Sequence, residues 1–170
     1  MASSTLYLFV GVPGAGKTTT AEIISEKTEA IHLWADAERH KLFANPTHSL
    51  EESESLYADL NNRTEQMLSN GESVVFDTNF NFYEDRQKLR ALADKYNAKT
   101  VLIWVTTPLG IARNRAVGTH RYRNGYMNKM SKEQFDAIAA KLENPRDEEQ
   151  PIQIDGSDVQ KSDIIRILDI

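Results

Sequence analysis

Apolar residues in this chain fall into short continuous runs, separated by stretches in which they recur every third or fourth position. Thr5–Val10 is a run of the first kind and reads as a buried strand. From Thr18 to about Lys27 the spacing is helical, with Ala21, Ile23 and Ile24 on the inward face. A short strand is predicted over 30–34 and a brief helix over 36–44, closed by Asn45-Pro46, because proline disfavours helix at the residue before it. Ser49 and Glu52 stand at capping-box spacing and open a long helix, in which Leu50, Leu56, Tyr57, Leu60, Met67 and Leu68 recur until Gly71 ends it. Further strands are predicted at 73–76, 100–105 and 151–154. Between them, Asn81 with Glu84 reads as the cap of a helix running to about Asn97. Residues 109–142 read as helix, glycine-containing loop and helix, with Ser131 as a cap, and a last helix closes the chain.

Continuously apolar strands alternating with helices imply an α/β fold: a five-stranded parallel sheet covered on both faces, making three layers, with right-handed crossovers. Ligands of such sheets sit at the carboxyl ends of the strands. That rule selects four stretches: 11–18, 35–39, 77–81 and 106 onward.

The first stretch is decisive. Gly11 to Thr18 spells G-x-x-x-x-G-K-[ST], directly after an apolar strand and before a helix. Consecutive backbone N–H groups must turn inward around an anion there, and glycine alone reaches the required positive φ while letting phosphate oxygens approach the main chain. The phosphate-loop set Gly11, Pro13, Gly14, Ala15, Gly16, Lys17, Thr18 and Thr19 is therefore expected to hold a nucleoside triphosphate. Lys17 supplies a point charge to the β- and γ-phosphates, the Thr18 hydroxyl is placed for Mg²⁺, and the helix dipole points its positive end at the anion.

Composition narrows the class. With 170 residues the chain suits one domain, 1–170, containing a lid segment at about 109–132. It has no cysteine, which excludes disulfides, thiolate metal sites and cysteine nucleophiles. A net charge of −5 argues against broad binding to long nucleic acid. No apolar run approaches a membrane span and the N-terminus lacks signal-peptide character, so a soluble cytoplasmic protein is expected.

The remaining stretches supply candidate chemistry. Asp36 and Arg39 share one helical face after the second strand, where Asp36 is a candidate general base and Arg39 a candidate holder of an anionic or polyol part of an acceptor. The alternative is a helix cap with a surface partner. Asp77 ends the third strand in the Walker B position, toward Mg²⁺, and Thr78 stands where motor ATPases carry a water-activating glutamate, which favours transfer over hydrolysis. Asn79 and Asn81 are candidates to read the acceptor, Asn81 equally as a helix cap. From Arg113 to Lys132 the chain is basic and without acidic residues: Arg113, Arg115, Arg121, Arg123, Lys129 and Lys132. A closing lid would use such charge on the γ-phosphoryl, with Gly118 and Gly125 giving freedom; a solvated basic loop is the alternative. The histidines His32, His40, His48 and His120 show no metal-ligand pairing and read as ordinary surface or loop residues. Asn128-Lys129-Met130-Ser131 lacks the aspartate of a guanine-reading motif.

Taken together, GVPGAGKTT, the WADAER segment, FDTNFN, the arginine-bearing lid and KLENP at 141–145 resemble the P-loop kinases related to polynucleotide kinase and zeta toxins, over about Leu6 to Asp155. The resemblance implies an ATP- and Mg²⁺-dependent transfer of the γ-phosphate to a hydroxyl. In that pattern Lys17 and Thr18 bind phosphate and Mg²⁺, Asp36 is the base, Arg39 contacts the acceptor, and Asp77 assists around the metal. The family lid carries R-N-x-x-R, whereas Arg113-Asn114-Arg115-Ala116-Val117 ends on valine; Arg115 or Arg121 is left for the catalytic role, and Arg113 for stacking on adenine or neutralising phosphate. Three acceptor readings stay open: a polynucleotide 5′-hydroxyl, a small molecule such as a sugar, nucleoside or antibiotic, or no acceptor at all in a nucleotide-dependent switch.

Overall fold

The computed structural model describes residues 3–121 and 127–170, with the side chains of 119–128 outside that description. The apolar runs become strands β1 (Thr5–Val10), β2 (Ile31–Trp34), β3 (Val74–Asp77) and β4 (Lys99–Val105). Between them run α1 (Lys17–Thr28), α2 (Ala35–Leu42), α3 (Leu50–Ser69) and α4 (Tyr83–Lys95). The chain continues through α5 (Leu109–Ala116), β5 (Gly118–Arg121), β6 (Met127–Met130), α6 (Lys132–Lys141), a 3₁₀ turn (Asp147–Glu149), β7 (Ile152–Ile154) and α7 (Lys161–Leu168).

The five-stranded sheet is parallel throughout, in the order β2-β3-β1-β4-β7. Strand alternation sends successive side chains to opposite faces, so β1 feeds two separate cores. Leu6, Leu8 and Val10 pack with Phe76 and Leu102 against Leu56, Leu60 and Leu68 of α3 and Leu89 and Ala93 of α4. Tyr7 and Phe9 pack with Val75, Ile103 and Ile154 against Ala21 and Ile24 of α1, Ala112 of α5, Phe135 of α6 and Ile164 of α7. This is the three-layer α/β arrangement expected. The adjacent strands β1 and β3 send their connections in opposite directions, to β2 through α1 and to β4 through α4, which opens a crevice at their carboxyl ends.

Two local expectations differ. Residues 118–130, expected as a glycine-containing loop, contain the antiparallel pair β5 and β6, with Gly118 opposite Met130. Asn81 does not cap α4: the cap position is Phe82, without a side-chain bond, and the Asn81 amide is turned toward the loop after β1. Among the described residues, no helix is long and apolar enough to cross a membrane.

Candidate active site

The loop after β1 holds Gly14 at φ +78° and Gly16 at φ +106°. A Cβ on Gly14 would lie 2.3 Å from the Ala112 carbonyl oxygen, so both the backbone angle and the space demand glycine there. Gly16 is the cap of α1 and brings no side chain over the helix's first-turn N–H groups, which leaves that end for an anion. Lys17 is buried, and its Nζ donates to the carbonyls of Gly11 and Val12, each at 2.8 Å. Burial pushes its pKa down to about 8, against the pull of the Asp77 carboxylate.

This loop is braced from four directions. The Gly11 N–H donates to Asn81 Oδ1 at 3.3 Å, and Thr107 Oγ1 donates to the Ala15 carbonyl at 2.7 Å. Arg115 from α5 reaches across to the carbonyls of Gly14 (3.3 Å), Gly156 (2.7 Å) and Ser157 (2.6 Å). A Cβ on Gly156 would sit 1.8 Å from the Ala15 carbonyl oxygen, so the loop after β7 touches the phosphate loop backbone to backbone.

Across the crevice, Asp77 is buried at the end of β3, and its Oδ2 lies 3.0 Å from His32 Nε2. The His32 ring stacks on Trp34, 6.1 Å between centroids and 8° from parallel. Asp36 is half-buried in the first turn of α2. One turn on, Arg39 is buried and donates from Nη1 to Glu52 at 2.5 Å and from Nη2 to Ser53 Oγ at 3.3 Å. Glu52 is held in turn by the N–H groups of Thr47 (2.7 Å) and His48 (3.2 Å). The Thr47 N–H is the chief cause that sets its carboxyl at about 2. The Ser49 cap forms as expected, accepting from the Glu52 N–H, but the Glu52 carboxylate turns to Arg39 and residues 47 and 48. His48 is lowered from its ordinary pKa, by burial first and then by Arg39, and is therefore neutral near pH 7. Tyr57 and Thr78 share a hydroxyl–hydroxyl bond of 2.7 Å.

The phosphate loop and the facing residues of α2 and β3 line one cleft of about 660 Å³. The cleft brings together Pro13, Gly14, Gly16, Lys17, Thr18, Thr19, Asp36, Arg39, Asp77, Asn79 and Arg115. Gly11 and Ala15 are buried within the same loop. Arg113 is not among the lining residues; it pairs with Asp136 and lies over the Phe135 ring, fastening α5 to α6. The side chain of Arg121 lies outside the described residues, as do Arg123 and Gly125. Sequence reasoning missed Asn81 as a brace, together with Thr107 and Gly156, and it passed over His32 and His48, which lie on Asp77 and in the cleft. One signal was available: the search after each strand, extended to the last one, leads to Asp155-Gly156-Ser157.

The Thr18 hydroxyl and the Asp77 carboxylate are hard oxygen donors on one cleft. Mg²⁺ takes only one or two such ligands from protein and completes its shell with water and phosphate, so the pair fits it. Among the described residues, no group of three His, Cys, Asp or Glu side chains could hold a metal by itself.

A parallel sheet in this strand order, with a glycine-shaped phosphate loop leading from its central strand into a helix, defines a P-loop nucleoside triphosphatase fold. The chain belongs to the AAA domain family (AAA_33), whose model matches residues 6–145. No curated protein sequence matches it. Solved structures share the fold at low sequence identity. Kti12 of Chaetomium thermophilum in complex with ADP-AlF3 has a TM-score of 0.74 at 16% identity, covering 96% of this chain and 95% of that one. The Mycobacterium tuberculosis APS kinase in complex with AMPPNP and APS has 0.68 at 18%, covering 100% of both chains. A gluconokinase from Sinorhizobium meliloti 1021 has 0.65 at 19%, covering 97% of this chain and 88% of that one.

Proposed function

We propose that this protein is an ATP-dependent phosphotransferase that moves the γ-phosphoryl group of ATP to a hydroxyl acceptor. The observation that carries this reading is that one cleft holds both a phosphate loop and, across from it, the Asp36 carboxylate with Arg39. A donor bound at the first faces a hydroxyl oriented at the second. Proteins of the same fold support it: APS kinase and gluconokinase by their activity, Kti12 by its bound ADP-AlF3.

In this reading the amides at the α1 N-terminus and Lys17 hold the β- and γ-phosphates, and the lining past Arg115, formed by Gly156 to Val159, takes the nucleoside. Thr18 and Asp77 hold Mg²⁺, which when bound neutralises charge on the phosphates. Asp36 accepts the acceptor's proton as the new P–O bond forms and the bond from the γ-phosphorus to the β–γ bridging oxygen breaks, releasing ADP, while Arg39 and Asn79 contact the acceptor. Arg115, the described lid arginine bonded to the phosphate loop, is the first candidate for charge on the transferring group and Arg121 the second. Arg113, tied to Asp136, positions α5. Thr78 beside Asp77 favours transfer over hydrolysis, and Tyr57 engages its hydroxyl. The acceptor class implied by the polynucleotide kinase resemblance is a 5′-hydroxyl end; a small hydroxylated molecule is its rival.

The test is a γ-labelled ATP assay across 5′-hydroxyl oligonucleotides, nucleosides, sugars and aminoglycosides. Label in an acceptor is expected. Tight Mg-nucleotide binding with slow hydrolysis and no labelled acceptor would leave a nucleotide-dependent switch instead.

A further inference from the structure

On the acceptor side of the cleft, the described residues supply one permanent cation, Arg39; the other cations of the lining, Lys17 and Arg115, belong to the phosphate-loop end. Arg39 is buried against Glu52 and Ser53, and Glu52 is itself pinned by two backbone N–H groups. The pair presents no net charge to the cleft. An anionic group entering there meets a guanidinium whose charge is already offset by Glu52, beside a cleft wall that also carries Asp36 and Asp77, and displacing Glu52 would cost a buried ion pair. His48 adds no charge near neutral pH, because burial and Arg39 hold it neutral. What the wall offers instead suits hydroxyls: the Asp36 carboxylate, the Asn79 amide and the linked hydroxyls of Tyr57 and Thr78. Trp34 and Tyr57 add amphipathic aromatic surface, against which the apolar face of a ring packs. A polynucleotide end would bring flanking phosphates to a chain of net charge −5.

We propose that the acceptor is an uncharged or amine-bearing ring polyol, a sugar or amino sugar, and that the Arg39–Glu52 pair excludes phosphorylated, carboxylated and polynucleotide acceptors. This rests on the phosphotransferase reading above. It assigns Glu52 the part of a selectivity residue that acts through Arg39.

The experiment uses matched acceptors that differ only in charge, offered to the full chain with γ-labelled ATP and Mg²⁺: sugars, their amino, acid and phosphate derivatives, and a 5′-hydroxyl oligonucleotide. Binding of Mg-AMPPNP is titrated separately by calorimetry. A kcat/KM for the uncharged or amino member at least about tenfold above its acid and phosphate counterparts is the expected result. A preference for an anionic member or for the oligonucleotide overturns the proposal. Labelling of no member while Mg-AMPPNP still binds also overturns it and leaves the nucleotide site standing; failure of Mg-AMPPNP to bind removes the phosphotransferase reading itself. In Glu52→Gln, which exposes the guanidinium charge, the acid member should gain about tenfold relative to the sugar. Melting temperature and Mg-AMPPNP affinity verify that this variant is folded. Should it not fold, the matched comparison on the unsubstituted chain decides alone.

Discussion

At the scale of single residues, two charged groups of the cleft, Lys17 and Asp36, have opposed duties in the proposed reaction. Lys17 is a buried cation with a pKa of about 8, below its ordinary 10.5, because burial disfavours the charged form. A triphosphate restores the charged form, so nucleotide binding above about pH 8 takes up a proton and affinity declines as pH rises through that value. Calorimetry in buffers of different ionisation enthalpy should show uptake of about three-quarters of a proton by the native chain at pH 8.5 and almost none at pH 6.5. The same depression has a stability consequence. Between about 8 and the unfolded value of 10.5 the unfolded chain binds more protons, so this group's contribution to stability rises with pH in that window and is unfavourable below it. Lys17→Met should accordingly melt a few degrees higher than the native chain at pH 7 while losing nucleotide binding. Asp36 carries the other duty. Asp36→Asn keeps the volume and should leave Mg-AMPPNP affinity unchanged while transfer falls by about 100-fold, as is usual when a general base is removed; transfer at the native rate would exclude Asp36 as the base.

Elements were legible where burial imposes a period, and illegible where a long-range partner decides. The inner strands β1 and β3 are apolar runs because both faces are covered, the edge strands β2 and β7 are interrupted by His32 and Gln153, and the long α3 follows from its recurring leucines and its Ser49 cap. The Ser131 cap also holds, with Gln134 completing a capping box. Residues 118–130 gave no such signal: β5 and β6 pair only with each other and stand outside the main sheet, so no apolar alternation marks them. Asn81 misled for a related reason. Its position before α4 suits a cap, yet its side chain accepts from Gly11 and its carbonyl accepts from the Glu143 N–H. That bond belongs to a clamp the sequence does not advertise. Arg86 of α4 is almost wholly buried, binding Glu149 at 2.7 and 3.0 Å and the carbonyls of Phe80 and Glu143 at 3.0 and 3.1 Å. A charged helix residue with these partners is recognised only once residues 143–149 are in place. Arg86→Met would leave the buried Glu149 carboxylate without its ion-pair partner, with the Arg146 N–H still donating to it, and should destabilise the fold by about 3–5 kcal/mol in urea denaturation. Replacing both partners, Arg86→Met with Glu149→Leu, should recover much of that loss.

At the scale of the whole molecule, the strand order β2-β3-β1-β4-β7 brings together segments far apart in the chain, and Arg115 is where three of them meet. From α5 it binds carbonyls of the phosphate loop and of the loop after β7, 101 and 41 residues away in sequence. The contact joins the phosphate loop to the loop after β7, so under the proposed nucleotide site its loss should be felt in binding more than in folding. A lysine keeps the charge but has no planar fork and cannot reach separate carbonyls in fixed directions. Mg-AMPPNP at a hundred times its dissociation constant should stabilise the native chain by about 2.7 kcal/mol, a shift of several degrees in melting temperature for a chain of this size. In Arg115→Lys, at the same nucleotide concentration, the shift should shrink by more than half while the melting temperature without nucleotide changes little. An unaltered shift in that variant would mean that Arg115 fastens loops without shaping the nucleotide site; loss of melting temperature without nucleotide, equal to the loss of shift, would make it a structural latch alone.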